Sequence, residues 1–228
     1  MLKKLKECKT LKEIFACIGT KPFEVAALLV IVAWCVLPVY FIVERLFWSV
    51  NAVNDFQHSF AISEGHLWIV NTMGSVSVYV AVFYLISRVA VYGKDVFKKI
   101  KEEPWHFLLL AMLLWACLAT VQAENIELAY YGDNYLAEGL RNYFYYAAIY
   151  ICAFGIVTPK YKWRVLNIFN VIAMIISLIV IVVDFVDIPI LEKSFPAARA
   201  AVFYHFNHAG YYINLGIVCA MGLYMHTK

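Results

Sequence analysis

Six long apolar stretches alternate with polar ones along this chain, over about residues 23–47, 67–92, 105–123, 142–158, 165–188 and 210–225. Each is close to the ~20 apolar residues that a helix needs to cross ~30 Å of hydrocarbon. The pattern therefore predicts an all-α, polytopic integral membrane protein with about six transmembrane helices. The last stretch is the shortest. The fourth opens on Tyr143, Tyr145, Tyr146 and Tyr150, which suits the aromatic belt at a membrane–water interface. Ahead of the first stretch, residues 1–22 mix Leu2, Leu5, Leu11, Ile14 and Phe15 with lysines. That mixture predicts a basic amphipathic segment lying on the inner membrane surface. The apolar run that follows is too long for a cleavable signal, and no small-residue site closes it. Residues 23–228 read as one membrane domain.

Composition agrees with the pattern. The chain has 228 residues, of which 64% are hydrophobic and only 15% charged. Soluble domains are nearer half apolar and a quarter charged. So much apolar surface cannot be buried in one aqueous core, and the solvent is a bilayer.

Charge orients the predicted spans. Lys3, Lys4, Lys6, Lys9, Lys12 and Lys21 precede the first span. Arg88, Lys94, Lys98, Lys99 and Lys101 fall around the second connection, Lys160, Lys162 and Arg164 around the fourth, and Lys228 at the end. Only Arg45, Arg141, Lys193 and Arg199 of the 19 basic residues lie on the other side. The positive-inside rule then places both termini in the cytoplasm, N-in and C-in. The net charge of +3 reflects loops facing anionic headgroups and does not indicate nucleic-acid binding.

Redox and metal chemistry find little support. Cys8 and Cys17 fall on the cytoplasmic side, and Cys35, Cys117, Cys152 and Cys219 within apolar spans. No outer loop holds a cysteine pair, and no Cys-x-x-Cys appears. No glycine-rich phosphate loop or other cofactor motif is present.

The remaining chemistry lies in the outer connections. Gly132-Asp133-Asn134 marks a turn, and Glu138 stands three residues before Arg141, close enough to pair on one helical face. This is either an interfacial ion pair or a polar rim for a sugar or lipid phosphate. Tyrosines stack on sugar rings, and an arginine fork matches phosphate. Further along, Arg199 leads to His205, Asn207 and His208. A cation beside histidines and an amide could hold a pyrophosphate and move a proton, or the histidines could cap and pack a helix. The His-x-x-His pair lacks an evident third ligand, so no metal is expected. Asp184 and Asp187, near the outer end of the fifth span, suit either an interface or a polar cavity.

Two segments carry a family resemblance. Tyr131-Gly-Asp-Asn-Tyr-Leu-Ala-Glu-Gly-Leu140, followed by a Tyr-rich helix, is similar to an aromatic-Gly then Glu-Gly-Leu element. Phe206-Asn-His-Ala-Gly-Tyr-Tyr-Ile213 is similar to an Asn-His-x-Gly-Tyr element that opens a span. Together, in this order and on one predicted face, they resemble the bacterial O-antigen ligase and polysaccharide polymerase family. The resemblance covers most of this chain but only the N-terminal half of a typical member.

It implies a metal-independent, multi-span glycosyltransferase of the bacterial cytoplasmic membrane. Such a protein acts at the outer face on undecaprenyl-pyrophosphate-linked glycans. An acceptor hydroxyl attacks the anomeric carbon, and the lipid pyrophosphate leaves. Glu138, Gly139, Asn207, His208 and Gly210 match the family's motif positions. The arginine often found before Glu-Gly-Leu is replaced here by Leu136-Ala137, with Arg141 following instead. The family's essential arginine and histidine come after the Asn-His-Gly element, beyond the reach of this chain. The resemblance thus implies a truncated member that could be inactive alone, and it transfers no catalytic residue. Glu138, Arg141, Arg199, His205, Asn207 and His208 remain as candidate substrate-binding residues.

Two other functions fit the same pattern. One is a non-enzymatic membrane protein that binds a lipid-linked glycan or a membrane partner subunit. The other, a small transporter, is disfavoured because the middle thirds of the spans are almost free of charge and no inverted repeat is evident.

Overall fold

The computed structural model describes residues 8–47, 56–96, 105–132, 139–155, 159–185 and 206–227. Within them the chain is helical, with no strand. The helices are α1 (Leu11–Ile18), α2 (Lys21–Phe47), α3 (Phe56–Tyr92), α4 (Trp105–Val121), α5 (Ile126–Tyr131), α6 (Leu140–Gly155), α7 (Pro159–Phe185) and α8 (Phe206–Thr227). Three carry windows long and apolar enough to cross a bilayer: Lys21–Tyr40, Trp68–Tyr92 and Tyr161–Ile179. Trp105–Val121 and Tyr212–His226 are apolar but shorter. Large apolar side chains stand in the open along these helices, among them Leu29, Tyr79, Trp115, Leu178 and Val218. A water-soluble protein does not expose apolar surface on that scale. The molecule is a helical membrane protein.

Helix boundaries differ from the hydropathy pattern where helix formation outlasts apolarity. α3 begins at Phe56, eleven residues before the predicted span, because backbone hydrogen bonding continues through Gln57, Ser59 and Glu64 with no proline to stop it. At ~1.5 Å per residue its 37 residues reach ~55 Å, beyond the hydrocarbon at one end. It ends at Gly93, whose φ of 57° lets its N–H bond back to the Val89 carbonyl at 2.9 Å. Arg88 lies over the Tyr92 ring at 4.5 Å, a cation–π contact at that end. Two short helices, α1 and α5, lie in segments outside the predicted spans.

The chain divides into two compact units. Unit 1 comprises residues 1–31 and 70–157, and unit 2 residues 32–69 and 158–228.

In unit 1, α3 and α6 form a parallel seam. Gly74, Ser77, Ala81 and Tyr84 are buried on α3, and Tyr145, Ala148, Cys152 and Gly155 on α6. Both sets repeat at intervals of three, four and three, the spacing that keeps one helical face toward a neighbour at a shallow crossing. A Cβ on Gly74 would collide with the Tyr145 ring, and one on Gly155 would come 3.0 Å from the Tyr84 ring. Each end of the seam therefore sets a tyrosine of one helix on a glycine of the other. Small residues fill the middle, where Cys152 Sγ lies 3.9 Å from the Ser77 carbonyl. Without a hydrophobic force between helices in lipid, such close backbone approach supplies the packing energy.

α4 runs opposite to α6. His106, near the start of α4, meets Tyr150 and Phe154 near the end of α6, with ring centroids 5.7 and 4.7 Å apart. α1 packs Phe15 against Phe23 of α2 and Phe83 of α3, at 5.5 and 6.2 Å. Its first turn is fixed by Thr10, which accepts from Glu13 N at 3.3 Å, while Glu13 Oε2 accepts from Lys9 N at 2.7 Å. This reciprocal arrangement caps two free donors. The Lys9 N–H holds the exposed Glu13 carboxyl below its ordinary value.

In unit 2, α7 and α8 are antiparallel. Trp163 near the start of α7 stacks on His226 near the end of α8, centroids 3.6 Å apart. Between them Gly216 sits so close to Ala173 that a Cβ would lie 2.8 Å from the alanine methyl.

Candidate functional site

Several hydroxyl side chains within the long helices are satisfied by their own helix. Ser77, Ser87, Thr120 and Ser177 donate their hydroxyls to the carbonyls of Met73, Tyr84, Ala116 and Ala173 at 2.7–2.9 Å. Such back-bonding neutralises a hydroxyl in hydrocarbon without further help. A few polar atoms are not served this way. Asn71 Oδ1, His106 Nε2, Arg141 Nε and Asn170 Oδ1 are buried and have no hydrogen-bond partner among the described residues. A buried polar atom left unpaired costs free energy, so each asks for an explanation.

Two of the four belong to one end of the α3/α6 seam. Asn71 lies one turn before Ser75, whose hydroxyl donates to the Asn71 carbonyl at 2.8 Å and lies 3.3 Å from the Tyr145 hydroxyl. Arg141 is on the first turn of α6, with Asn142 beside it. The seam register, which sets Gly74 at Tyr145 and Tyr84 at Gly155, carries Asn71 to the level of Asn142. A polar rim thus forms where α3 and α6 meet, made of Asn71, Ser75, Arg141, Asn142 and Tyr145.

α5 packs against the start of α6 beside this rim. α5 is capped by Asn125, whose Oδ1 accepts from Leu128 N at 3.0 Å. It stops at Gly132, whose φ of 81° suits glycine and whose N–H donates to the Leu128 carbonyl at 2.8 Å. Gly139 is buried directly against this turn, so that a Cβ there would collide with the backbone of Tyr130, Tyr131 and Gly132. The close approach brings the Tyr131 ring to 5.3 Å from Arg141 Cζ. Tyr130 meets Tyr131 edge to face at 4.8 Å, and Tyr143 meets Tyr146 at 6.2 Å. Arg141 is partly buried, rests on an aromatic face and touches no carboxylate among the described residues. That arrangement holds a fixed cation with N–H donors to spare, beside an amide and a hydroxyl. Chemically it can receive an anionic group, or hydroxyls that both donate and accept.

Of the six candidate substrate-binding residues, only Arg141 is placed here. Glu138, Arg199 and His205 lie outside the described residues, as do Asp133, Asn134 and Asp187. Asn207 and His208 fall in the first turn of α8, which is helical from Phe206 and belongs to unit 2. The two motif glycines part company. Gly139 is required by its neighbours, whereas a Cβ on Gly210 would meet nothing within 4 Å. Asn71 and Ser75 were not singled out, and Tyr145 was read only as one of an interfacial aromatic belt. Their signal was present as polar residues within an apolar span, Asn71 and Ser75 at i and i+4 on one face. Among the described residues no cluster of His, Cys, Asp or Glu could hold a metal ion. Comparisons with protein-family models, with curated proteins and with solved structures find no match to this chain.

Proposed function

We propose that this chain is a six-span, N-in and C-in protein of the bacterial cytoplasmic membrane, of the O-antigen ligase and polymerase type. Its rim at Arg141 receives the headgroup of an undecaprenyl-pyrophosphate-linked glycan from the outer leaflet. The observation that carries this reading is the partly buried Arg141 guanidinium. Its Nε is unpaired and no carboxylate touches it among the described residues. A guanidinium with no anion among its described neighbours is stabilised by one that arrives with a ligand. Tyr131, whose ring lies 5.3 Å from the guanidinium, and Tyr130, edge to face with it, offer exposed ring surface of the kind on which sugars stack.

Helix direction supports the span count. α3 and α6 run parallel and α4 opposes α6, as two crossings from the same side require of a helix between them. The α4 window has only 17 residues, ~26 Å of helix, which a locally thinned bilayer accommodates. Within unit 2, α7 and α8 are antiparallel, as two consecutive crossings require.

Binding without transfer is a second reading with its own observation. The described side chains of the rim include no histidine or carboxylate that could deprotonate an acceptor hydroxyl. One experiment addresses both. The purified chain in nanodiscs is titrated with undecaprenyl-pyrophosphate-linked oligosaccharide, then incubated with acceptor. Binding is expected to weaken about 10- to 100-fold in Arg141→Gln, from the ~1.5–3 kcal/mol of a hydrogen bond to a charged group. No binding by the unaltered chain, or equal binding by Arg141→Gln, would sink the proposal. Binding with no product would select the second reading.

A further inference from the structure

The first turns of α7 carry a polar stripe that unit 2 leaves open. Tyr161, Arg164 and Asn167 follow one another at every third residue and all are exposed, so they lie along one flank of the helix. Trp163 fixes which flank. Its stack on His226 turns it toward α8. At ~100° per residue, Arg164 then falls on one side of the helix pair and Lys162, also exposed, on the other.

Depth sets the chemistry. All three stripe residues fall inside the apolar window Tyr161–Ile179. Arg164 is ~4.5 Å and Asn167 ~9 Å in from its start. Further along, the same flank turns apolar, with Val171, Met174 and Leu178 each more than half exposed. In order of depth the flank presents a phenol, a guanidinium, a carboxamide and then hydrocarbon. No carboxylate of the helix pair answers the guanidinium, since α8 has no Asp or Glu and α7 has only Asp184, near its other end. A second copy of the chain on this flank would bring another Arg164 to the same depth and be repelled.

A glycerophospholipid carries its groups in the matching order: headgroup, phosphate, ester carbonyls, acyl chains. The arginine fork suits the phosphate. The Asn167 amide, one turn deeper, donates to an ester carbonyl, and the Tyr161 ring sits at headgroup level. Lys162 and Arg164, with no acid beside them in the sequence, favour a headgroup of net negative charge. We propose that the Tyr161–Arg164–Asn167 flank of α7 is a binding site for an anionic glycerophospholipid in the leaflet that the start of α7 meets. The site rests on unit 2 alone and does not depend on the rim at Arg141.

The test reads which lipid lies on the flank. The full chain with Val171→p-benzoylphenylalanine is reconstituted in liposomes of equal phosphatidylglycerol and phosphatidylcholine, illuminated, and its crosslinked lipids are identified by mass spectrometry. Phosphatidylglycerol should be enriched about fivefold over the bulk ratio, the effect of one cation at a lipid surface. Arg164→Gln should return the ratio to that of the bulk. Lys162→Gln, the same loss of charge on the opposite flank, should leave the enrichment within about twofold of the original. In liposomes that mix ester- and ether-linked phosphatidylglycerol equally, the ester should be favoured at least about twofold, and Asn167→Leu should lose that preference. A bulk lipid ratio in the unaltered chain, or equal losses in Arg164→Gln and Lys162→Gln, would overturn the proposal. So would crosslinks that run to a second copy of the chain in place of lipid.

Discussion

Gly74→Ala and Gly155→Ala are the same chemical change at the two ends of one seam, and they should differ sharply in cost. The alanine methyl at 74 would fall on Cδ2, Cγ and Cε2 of Tyr145. That ring cannot swing aside easily. Tyr145 is 5% exposed, and its hydroxyl is 3.3 Å from Ser75 Oγ. At 155 the nearest atom is Tyr84 Cζ at 3.0 Å, which a shift of a few tenths of an ångström relieves. Overpacking costs ~1–3 kcal/mol, so the upper end applies at 74 and the lower at 155. Both substitutions gain the same ~1 kcal/mol of helix propensity, which cancels in the comparison. Gly74→Ala should therefore be about 2 kcal/mol less stable than Gly155→Ala. Unfolding in mixed micelles of rising SDS fraction, followed by far-ultraviolet circular dichroism, reads the difference. A Tyr145→Leu background should abolish most of the Gly74→Ala penalty, since the two side chains share one space. Equal stability of the two alanine variants, or an undiminished penalty in the Tyr145→Leu background, would refute the parallel register of α3 and α6.

Other consequences concern the rim and the first helix. Gly139→Ala should lower the affinity for lipid-linked glycan about tenfold while leaving helicity intact, because it lifts α5 and Tyr131 off Arg141; an isothermal titration beside the circular dichroism spectrum checks both. Glu13 has a folded value below the ordinary carboxylate range near ~4.3. Its cap on α1 is therefore complete above that range and is lost as pH falls through the lower, folded value. Amide exchange at Lys9 and Glu13 should quicken on acidification through that window, and Glu13→Gln should flatten the change.

How much of this was legible in the sequence depends on the kind of information each feature needs. Apolar runs located the helices because hydrocarbon thickness imposes a length on them. The boundaries drifted where polar residues stayed helical, as at Phe56–His66, or where a short capped helix such as Ile126–Tyr131 interrupted a predicted connection. The free state of all six cysteines follows from their placement along the spans. Arg141 could be singled out because an arginine beside an aromatic run is conspicuous. Asn71 could not, and Tyr145 read only as one of an aromatic belt, since both matter through a seam that pairs residues 71 positions apart. Gly74 and Gly155 carry the same lesson. A glycine in an apolar helix signals close approach, but which helix approaches is a tertiary fact. Asn170 was equally visible and equally mute until its Oδ1 proved buried without a partner among the described residues.

The central claim is that Arg141 and its rim face the outside of the membrane while the Gly93 end of α3 faces the cytoplasm. Single cysteines at Glu124 and at Lys94, each in a chain whose natural cysteines are replaced, test this in intact cells with a membrane-impermeant maleimide. Both side chains are exposed. The account predicts that Glu124→Cys is labelled from outside and that Lys94→Cys is labelled only after the cells are opened. Labelling of both from the same side, or of Lys94→Cys alone from outside, would contradict it.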